Sequence, residues 1–375
     1  MDPRELVARA HVVALPLRER FRGIVTREAL LIEGQNAVWA EWSPFIEYAD
    51  AEAARWLGSA LEVFAAGGLD DLGGSGLDTP TASATRPAGG LDRGSSSRAA
   101  ASPRGSSSRE AAYRDLPAPT VRVNATVPAV APDAVPDILA RFPGARTAKV
   151  KVAERGQRLA DDLARVRAVR DVLGPAGRIR VDANAAWSLD EATLALEALA
   201  PLDLEYAEQP VASVADLATL RARLAGAVRI AADESVRKPA DPLDVVRAGA
   251  ADVIVLKLQP LGGRARALEI ARAAAAEADV AFVTSSALET SVGLAAAARF
   301  AHDVDIAFSS DLDHGLGTAA LLAADVTAEP LLPVDGRTRV RPVVADPGLL
   351  ERHAAPPERI AFWHERLSRC LGLVD

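Results

Sequence analysis

Only four lysines stand against thirty-nine arginines in this chain of 375 residues. Lys149 and Lys151 lie in one apolar run, 146–152, and Lys257 lies in another, 253–259; Lys238 falls in a loop-like stretch. A composition so hostile to lysine leaves chemistry as the main reason to keep one. Arginine holds its proton near neutral pH, whereas a desolvated ammonium can lose it and serve as a base. Lys149 and Lys151, two apart on a strand, point to one face, where each lowers the other's pKa. After them come Asp182, Glu208 and Asp233 at intervals of 26 and 25 residues, and Lys257 a further 24 on, each closing a strand-like run. Any one of these acids could cap a helix or keep a strand end in water. Three in register, followed by a lysine, are a constellation. Converging carboxylates repel unless a cation holds them, and an all-oxygen site with room for water suits Mg2+. The pattern predicts proton abstraction by Lys151, with Lys149 behind it and Lys257 approaching from the opposite side.

Such residues converge only if the elements carrying them close on one another. From about 120 onward the chain repeats strand, turn and helix. Apolar runs at 121–126, 147–152, 178–182, 204–207, 228–232, 252–258, 280–284 and 304–308 alternate with helical patterns. One such pattern places Leu159, Leu163, Val166, Val169 and Leu173 on one face, and another opens with a capping box from Ser188 to Glu191. Eight strands at a repeat near 25 residues predict an α/β fold, a (β/α)8-type barrel whose strands deliver their C-terminal residues to one mouth.

Ahead of the barrel, residues 11–15, 24–32 and 37–42 read as three strands and 49–64 as a helix, a small α+β capping domain over 1–66. Residues 67–112 are dominated by Gly, Ser, Ala, Pro and Arg and repeat Arg-Gly-Ser-Ser-Ser-Arg at 93–98 and 104–109, so they read as a disordered low-complexity insertion. The barrel takes 113–324, and 325–375 is expected to pack back on the capping domain.

Further polar residues flank these acids and follow the late strands. Asn184 and Gln209 adjoin the acids and could support them or serve as ordinary structural hydrogen-bonders. Ser285 and Ser286 follow the seventh predicted strand, and Gly315 and Gly317 the eighth, where hydroxyls, amides and close backbone approach suit a carboxylate substrate. N-capping explains the serines nearly as well. Glu234 is expected to face away from Asp233, and His314 to play no part as a base.

Composition narrows the function classes. Hydrophobic residues make up 49% of the chain, ample for a large core, and a net charge of −8 with scattered arginines argues against nucleic acid. Cys370 is the single cysteine, so no intrachain disulfide forms. No apolar run reaches 18 residues and the start has no signal-peptide pattern, so a cytoplasmic protein with no membrane partner is expected. Oligomeric state is not legible.

Lys-x-Lys, Asp-x-Asn, Glu-Gln-Pro, Asp-Glu-Ser and a late Lys, in this order, resemble the enolase superfamily in its muconate lactonising subgroup, over the whole chain except 67–112. Within that subgroup RGIVTREALLIE (22–33), WAEWSPFIEY (39–48), VNATVPAV (123–130) and GLGTAALLAADV (315–326) most resemble the o-succinylbenzoate synthase family of actinobacterial type. The resemblance implies Mg2+, with Mn2+ as a substitute, on Asp182, Glu208 and Asp233. It implies Lys151 as the base that takes the proton α to a carboxylate, in a dehydration that feeds menaquinone synthesis. Lys257 would stabilise the anion, and a loop at 14–23 would cap the mouth. Dipeptide epimerases share this machinery and carry an Asp-x-Asp after strand eight, which Asp311-Leu312-Asp313 matches; N-succinylamino acid racemisation is a possible companion activity. A mandelate-racemase-type base is missing, since no histidine lies near strands six or seven. A barrel kept only as a scaffold would have lost a lysine or an acid.

Overall fold

The computed structural model describes residues 3–69, 119–238 and 241–374. The stretch read as a disordered insertion lies, apart from 67–69, outside the described residues.

Strands β1 (Ala10–Phe21), β2 (Ile24–Glu33) and β3 (Trp39–Trp42) form an antiparallel meander, backed by the helix Asp50–Ala65. The expected loop at 14–23 is instead the outgoing arm of the β1–β2 hairpin. The chain stays extended to Phe21, with a register shift after Pro16, and turns only at Arg22-Gly23, both at positive φ. That tight turn projects Phe21 and Arg22 beyond the sheet.

The helix Pro357–Leu371 closes the same unit. Its Trp363 meets Trp42 edge-on at 5.7 Å between ring centroids, and Leu367 and Cys370 share a core with Leu30, Trp42, Trp56 and Leu57. Truncating a tryptophan buried this deeply typically costs about 3–5 kcal/mol, so the terminal helix is integral to the cap. Arg359 and Trp363 donate to Glu28 on β2, fixing the helix's register on the sheet.

After β4 (Thr120–Arg122) the barrel begins. Strands β5 (Ala125–Val127), β6 (Thr147–Lys151), β7 (Arg178–Asp182), β8 (Leu204–Glu208), β9 (Ile230–Ala232), β10 (Val253–Leu256) and β11 (Ala281–Thr284) lie side by side, all parallel. They are almost wholly buried, with apolar residues such as Val150, Val181 and Ala207 in the hydrophobic core and, on β6–β8, charged ones alternating with them. The capping box at Ser188 and Glu191 opens the helix Leu189–Leu199 as its sequence predicts.

The eighth strand is not at 304–308. Those residues complete an 18-residue helix, Ser291–Phe308, whose apolar periodicity continues through them. The place of the eighth strand is taken by 313–315. The His314 amide donates to the Arg122 carbonyl and its carbonyl accepts from Asn124, while Gly315 pairs with Thr284 and Ser286 on the other side. Two isolated parallel bridges therefore join β11 to the start of the barrel and close the ring. The last strand, β12 (Arg337–Arg339), pairs antiparallel with β4 beneath it.

Candidate active site

Strand register builds the site. Lys151 on β6 is level with Asp182 on β7, and Asp182 with Glu208 on β8. Adjacent strands lie about 4.8 Å apart, so these three side chains are set as neighbours by backbone pairing alone. Asp233 follows β9 and Lys257 follows β10, continuing the arc. All five, with Lys149, are nearly excluded from solvent.

The charges interlock. Lys149 Nζ lies 3.0 Å from both Glu208 carboxylate oxygens and 3.5 Å from Asp182 Oδ2. Lys151 Nζ donates to the same Asp182 oxygen at 2.6 Å and to Asn184 Oδ1. On the far flank Lys257 donates to Asp233 Oδ2 at 2.5 Å, while Arg237 takes Oδ1 at 3.0 Å. Lys151 and Lys257 thus each hold a different acid of the arc, Asp182 and Asp233.

Burial acts on each group differently. It opposes the charge of Lys149, but Glu208 and Asp182 outweigh it and hold that ammonium above the ordinary lysine range. For Lys151 burial wins over Asp182, aided by the nearby Lys149 charge, and its pKa falls. Of these two lysines, Lys151 is the one whose proton is loosened. Asp182 and Asp233 resist their burial because Lys151 and Lys257, respectively, hold them ionised. Glu208 does not: burial and the neighbouring Asp182 charge push it up to about 7 even with Lys149 on both oxygens.

Among the described residues no three acid, histidine or cysteine side chains stand as a ready-made metal cage, because ammonium groups sit against the carboxylates. The donor chemistry nevertheless fits a hard divalent cation. Asp182, Glu208 and Asp233 offer only oxygens from neighbouring strand ends, and Lys149 already spans two of them with positive charge. Buried beside Asp182, Glu208 holds its charge least firmly of the three acids.

The supporting residues have distinct placements. Gln209 is fully buried behind the acids, and its Oε1 accepts from the Asp233 and Ser235 amides at 3.0 Å each, fixing the turn that carries Asp233. Asn184 stands in the mouth against Lys151, at positive φ. Glu234 does not face away: it is buried, pairs with Arg237 at 2.8 Å and lies 3.4 Å from Asn184 Nδ2. Ser285, Ser286 and Gly315 line the cavity above the lysines. A side chain at Gly315 would meet Ser285 Oγ at 2.6 Å, so that glycine permits a close backbone approach. Gly317 is not on the cavity wall; it packs against the Asn124 carbonyl and Phe142. His314 is wholly buried, accepting from the Thr284 amide through Nδ1 and bonding Asp305 through Nε2, a structural ring.

Asp311 and Asp313 do not reach the mouth. Asp311 is exposed at the opposite end, and Asp313 sits deep in the barrel, accepting from Thr147 Oγ1 at 2.7 Å beside Arg122. The cap reaches the lining through the 14–23 segment, which the resemblance placed over the mouth, and through Phe45, which nothing in the sequence marked. Phe21, Arg22 and Phe45 come from the cap, with Phe21 5.2 Å beneath the Lys151 ammonium. Arg237 ties Asp233 to Tyr48 of the cap at 3.0 Å. Its position four residues after Asp233 was the only available signal, hidden among many arginines.

Comparison with known proteins accords with this geometry. Residues 12–64 match the enolase N-terminal domain-like family model and residues 138–350 the enolase C-terminal domain-like one. The o-succinylbenzoate synthase of Mycolicibacterium smegmatis is 48% identical, covering 99% of this chain and 97% of its own length. That of Mycobacterium leprae is 45% identical, covering 99% and 93%, and that of Mycobacterium tuberculosis 46%, covering 98% and 95%. Of solved structures, the muconate lactonizing enzyme from Pseudomonas fluorescens complexed with muconolactone superposes with a TM-score of 0.68 at 19% identity, covering 92% of this chain and 98% of that one. The L-Ala-D/L-Glu epimerase from Bacillus subtilis gives 0.63 at 23%, covering 90% and 96%. At such identities these two speak for the fold alone. The chain belongs to the enolase superfamily and, within it, to the family of the o-succinylbenzoate synthases.

Proposed function

We propose that this chain is an o-succinylbenzoate synthase, a lyase that dehydrates 2-succinyl-6-hydroxy-2,4-cyclohexadiene-1-carboxylate in menaquinone biosynthesis. The near-full-length likeness to o-succinylbenzoate synthases carries that reading, and the two lysines flanking three acids support it. Asp182, Glu208 and Asp233 would hold Mg2+, or Mn2+ in its place. Bound there, the ion would neutralise the substrate's carboxylate and the charge building on it. Lys151, with its lowered pKa, takes the proton from the ring carbon bearing that carboxylate. The same amine returns the proton to the hydroxyl at C6; the C–O bond breaks, water leaves and the ring becomes aromatic. Lys257 contributes fixed positive charge from the opposite side. Lys149 stays charged and sets the position of Glu208. The hairpin tip at Phe21 and Arg22 roofs the cavity and limits water. We assign the cap to 1–66 with 325–375, the barrel to 113–324, and the cytoplasm as the site of action.

Epimerisation of dipeptides is disfavoured by the burial of Asp313 away from the mouth. The test is direct. Purified protein with Mg2+ should consume the cyclohexadiene, read as loss of its ultraviolet absorbance, and yield o-succinylbenzoate. Epimerisation of L-Ala-D/L-Glu with no dehydration would overturn the proposal.

A further inference from the structure

Of the three acids, Asp233 is the one that strand pairing does not place. Asp182 and Glu208 end β7 and β8 inside the ladder, whereas Asp233 lies past β9, where pairing has stopped. Gln209 steadies its amide from behind, which sets the main chain but not the carboxylate. Arg237 holds the carboxylate. Its guanidinium is buried, and each of the three nitrogens has a partner: Nε donates to Asp233 Oδ1 at 3.0 Å, Nη2 to Glu234 Oε1 at 2.8 Å and Nη1 to the Tyr48 hydroxyl at 3.0 Å. A rigid, permanently charged fork fixes three directions at once, which an ammonium on a flexible stem does not.

With Oδ1 taken, Asp233 presents only Oδ2 to the site, the oxygen that Lys257 approaches at 2.5 Å. A small cation that demands near-octahedral geometry gains from a carboxylate that can neither swing nor bite with both oxygens. The remaining anchor of Arg237 lies outside the barrel, because Tyr48 belongs to the cap. The Tyr48 ring packs against Phe45 and Trp56, with centroids 5.9 and 5.8 Å away, and its carbonyl accepts from Arg366 of the helix Pro357–Leu371. An unbroken line of contacts thus runs from that helix, through Tyr48 and Arg237, to the third acid. We infer that Arg237 is a positioning residue that fixes Asp233 as a one-oxygen ligand, and that through Tyr48 the affinity for the divalent ion depends on the docking of the cap. This inference rests on the proposed metal site. It accounts for a buried arginine beside a place meant for a cation, where its charge alone is unfavourable.

Binding of Mn2+ to the full-length protein without substrate tests it, followed by titration calorimetry and by the electron paramagnetic resonance of the free ion. Charge and position predict opposite signs. If Arg237 acted by charge alone it would repel the ion, and R237Q would bind Mn2+ more tightly. As a positioning residue, its loss should weaken binding by about tenfold or more, the usual effect of removing a group that orients a metal ligand. R237K keeps the charge but not the fork, so it too should weaken binding, and it serves if R237Q does not fold. Y48F alters no charge and no acid, and should weaken binding by about threefold, as for one lost hydrogen bond. Circular dichroism identifies the variants that fold. Tighter or unchanged Mn2+ binding by folded R237Q, or unchanged binding by folded R237K, overturns the positioning role; native-like binding by Y48F overturns the link to the cap. If the native protein binds no Mn2+, the proposed metal site itself falls and takes this inference with it.

Discussion

Two layers of charge occupy the inside of one barrel, carried by the same strands, and they behave oppositely. At the base Arg180 on β7 is fully buried between Glu205 and the Asp313 carbonyl, stacked on Tyr206, while Asp313 is matched by Thr147, Arg122 and Arg178. Each charged group at this end has an opposite neighbour. Towards the mouth, Lys149, Lys151, Asp182 and Glu208 share partners, and Glu208 is pushed up to about 7. The charges at the base are enclosed within the barrel; several of those at the mouth line the cavity, where a substrate and a metal can reach them. Polarity inside a barrel is thus no sign of a site, but polarity that lines a cavity is.

The comparison can be broken from either end. Lys151→Arg should lower turnover by roughly a thousandfold, since a guanidinium cannot act as the base, with far-ultraviolet circular dichroism and melting temperature nearly unchanged. Retained activity would remove Lys151 from the role. Chelating divalent ions should abolish turnover and leave the fold intact, and added Mg2+ should restore it; turnover that survives exhaustive chelation would refute a metal at the three acids. At the base the pattern reverses. Arg180→Met should cost about 2 kcal/mol of stability, because the Asp313 carbonyl loses its donor and Glu205 keeps only Arg178, read by urea denaturation, while kcat stays within about threefold. Asp313→Asn should be milder still, about 1 kcal/mol for the weakened Thr147 and Arg122 contacts, with dehydration unaffected. A large loss of activity in Asp313→Asn would return that residue to the site and revive the epimerase reading.

The sequence revealed the barrel and the acid–lysine arc because both rest on local periodicity: β-branched runs mark strands, and matched intervals mark equivalent strand ends. It misplaced the eighth strand for the same reason. Val304 and Ile306 alternate like a strand, but they continue a helix, whereas Asp313-His314-Gly315 is too short and polar to announce itself. Asp-x-Asp was legible as a motif but not as to depth: one residue faces solvent and the other the barrel base. Phe45, Tyr48 and Arg237 were not legible as site residues, since no local pattern encodes the docking of the cap on the barrel; Arg22 lay in the 14–23 segment that the resemblance alone set over the mouth.

The way the ring closes has a consequence for how it comes apart. Strands β6 and β7 share a continuous ladder and β8 joins them with one register shift, but the junction at 313–315 depends on a few amide bonds and on His314 clasping Asp305. This seam is the natural line along which the cylinder would first unzip, so the amides of His314 and Gly315 should exchange with solvent sooner than those of β7. The loops beside that seam carry Ser285 and Gly315, which places part of the substrate wall on the least rigid margin of the scaffold, while the proton-transfer groups sit on its firmest.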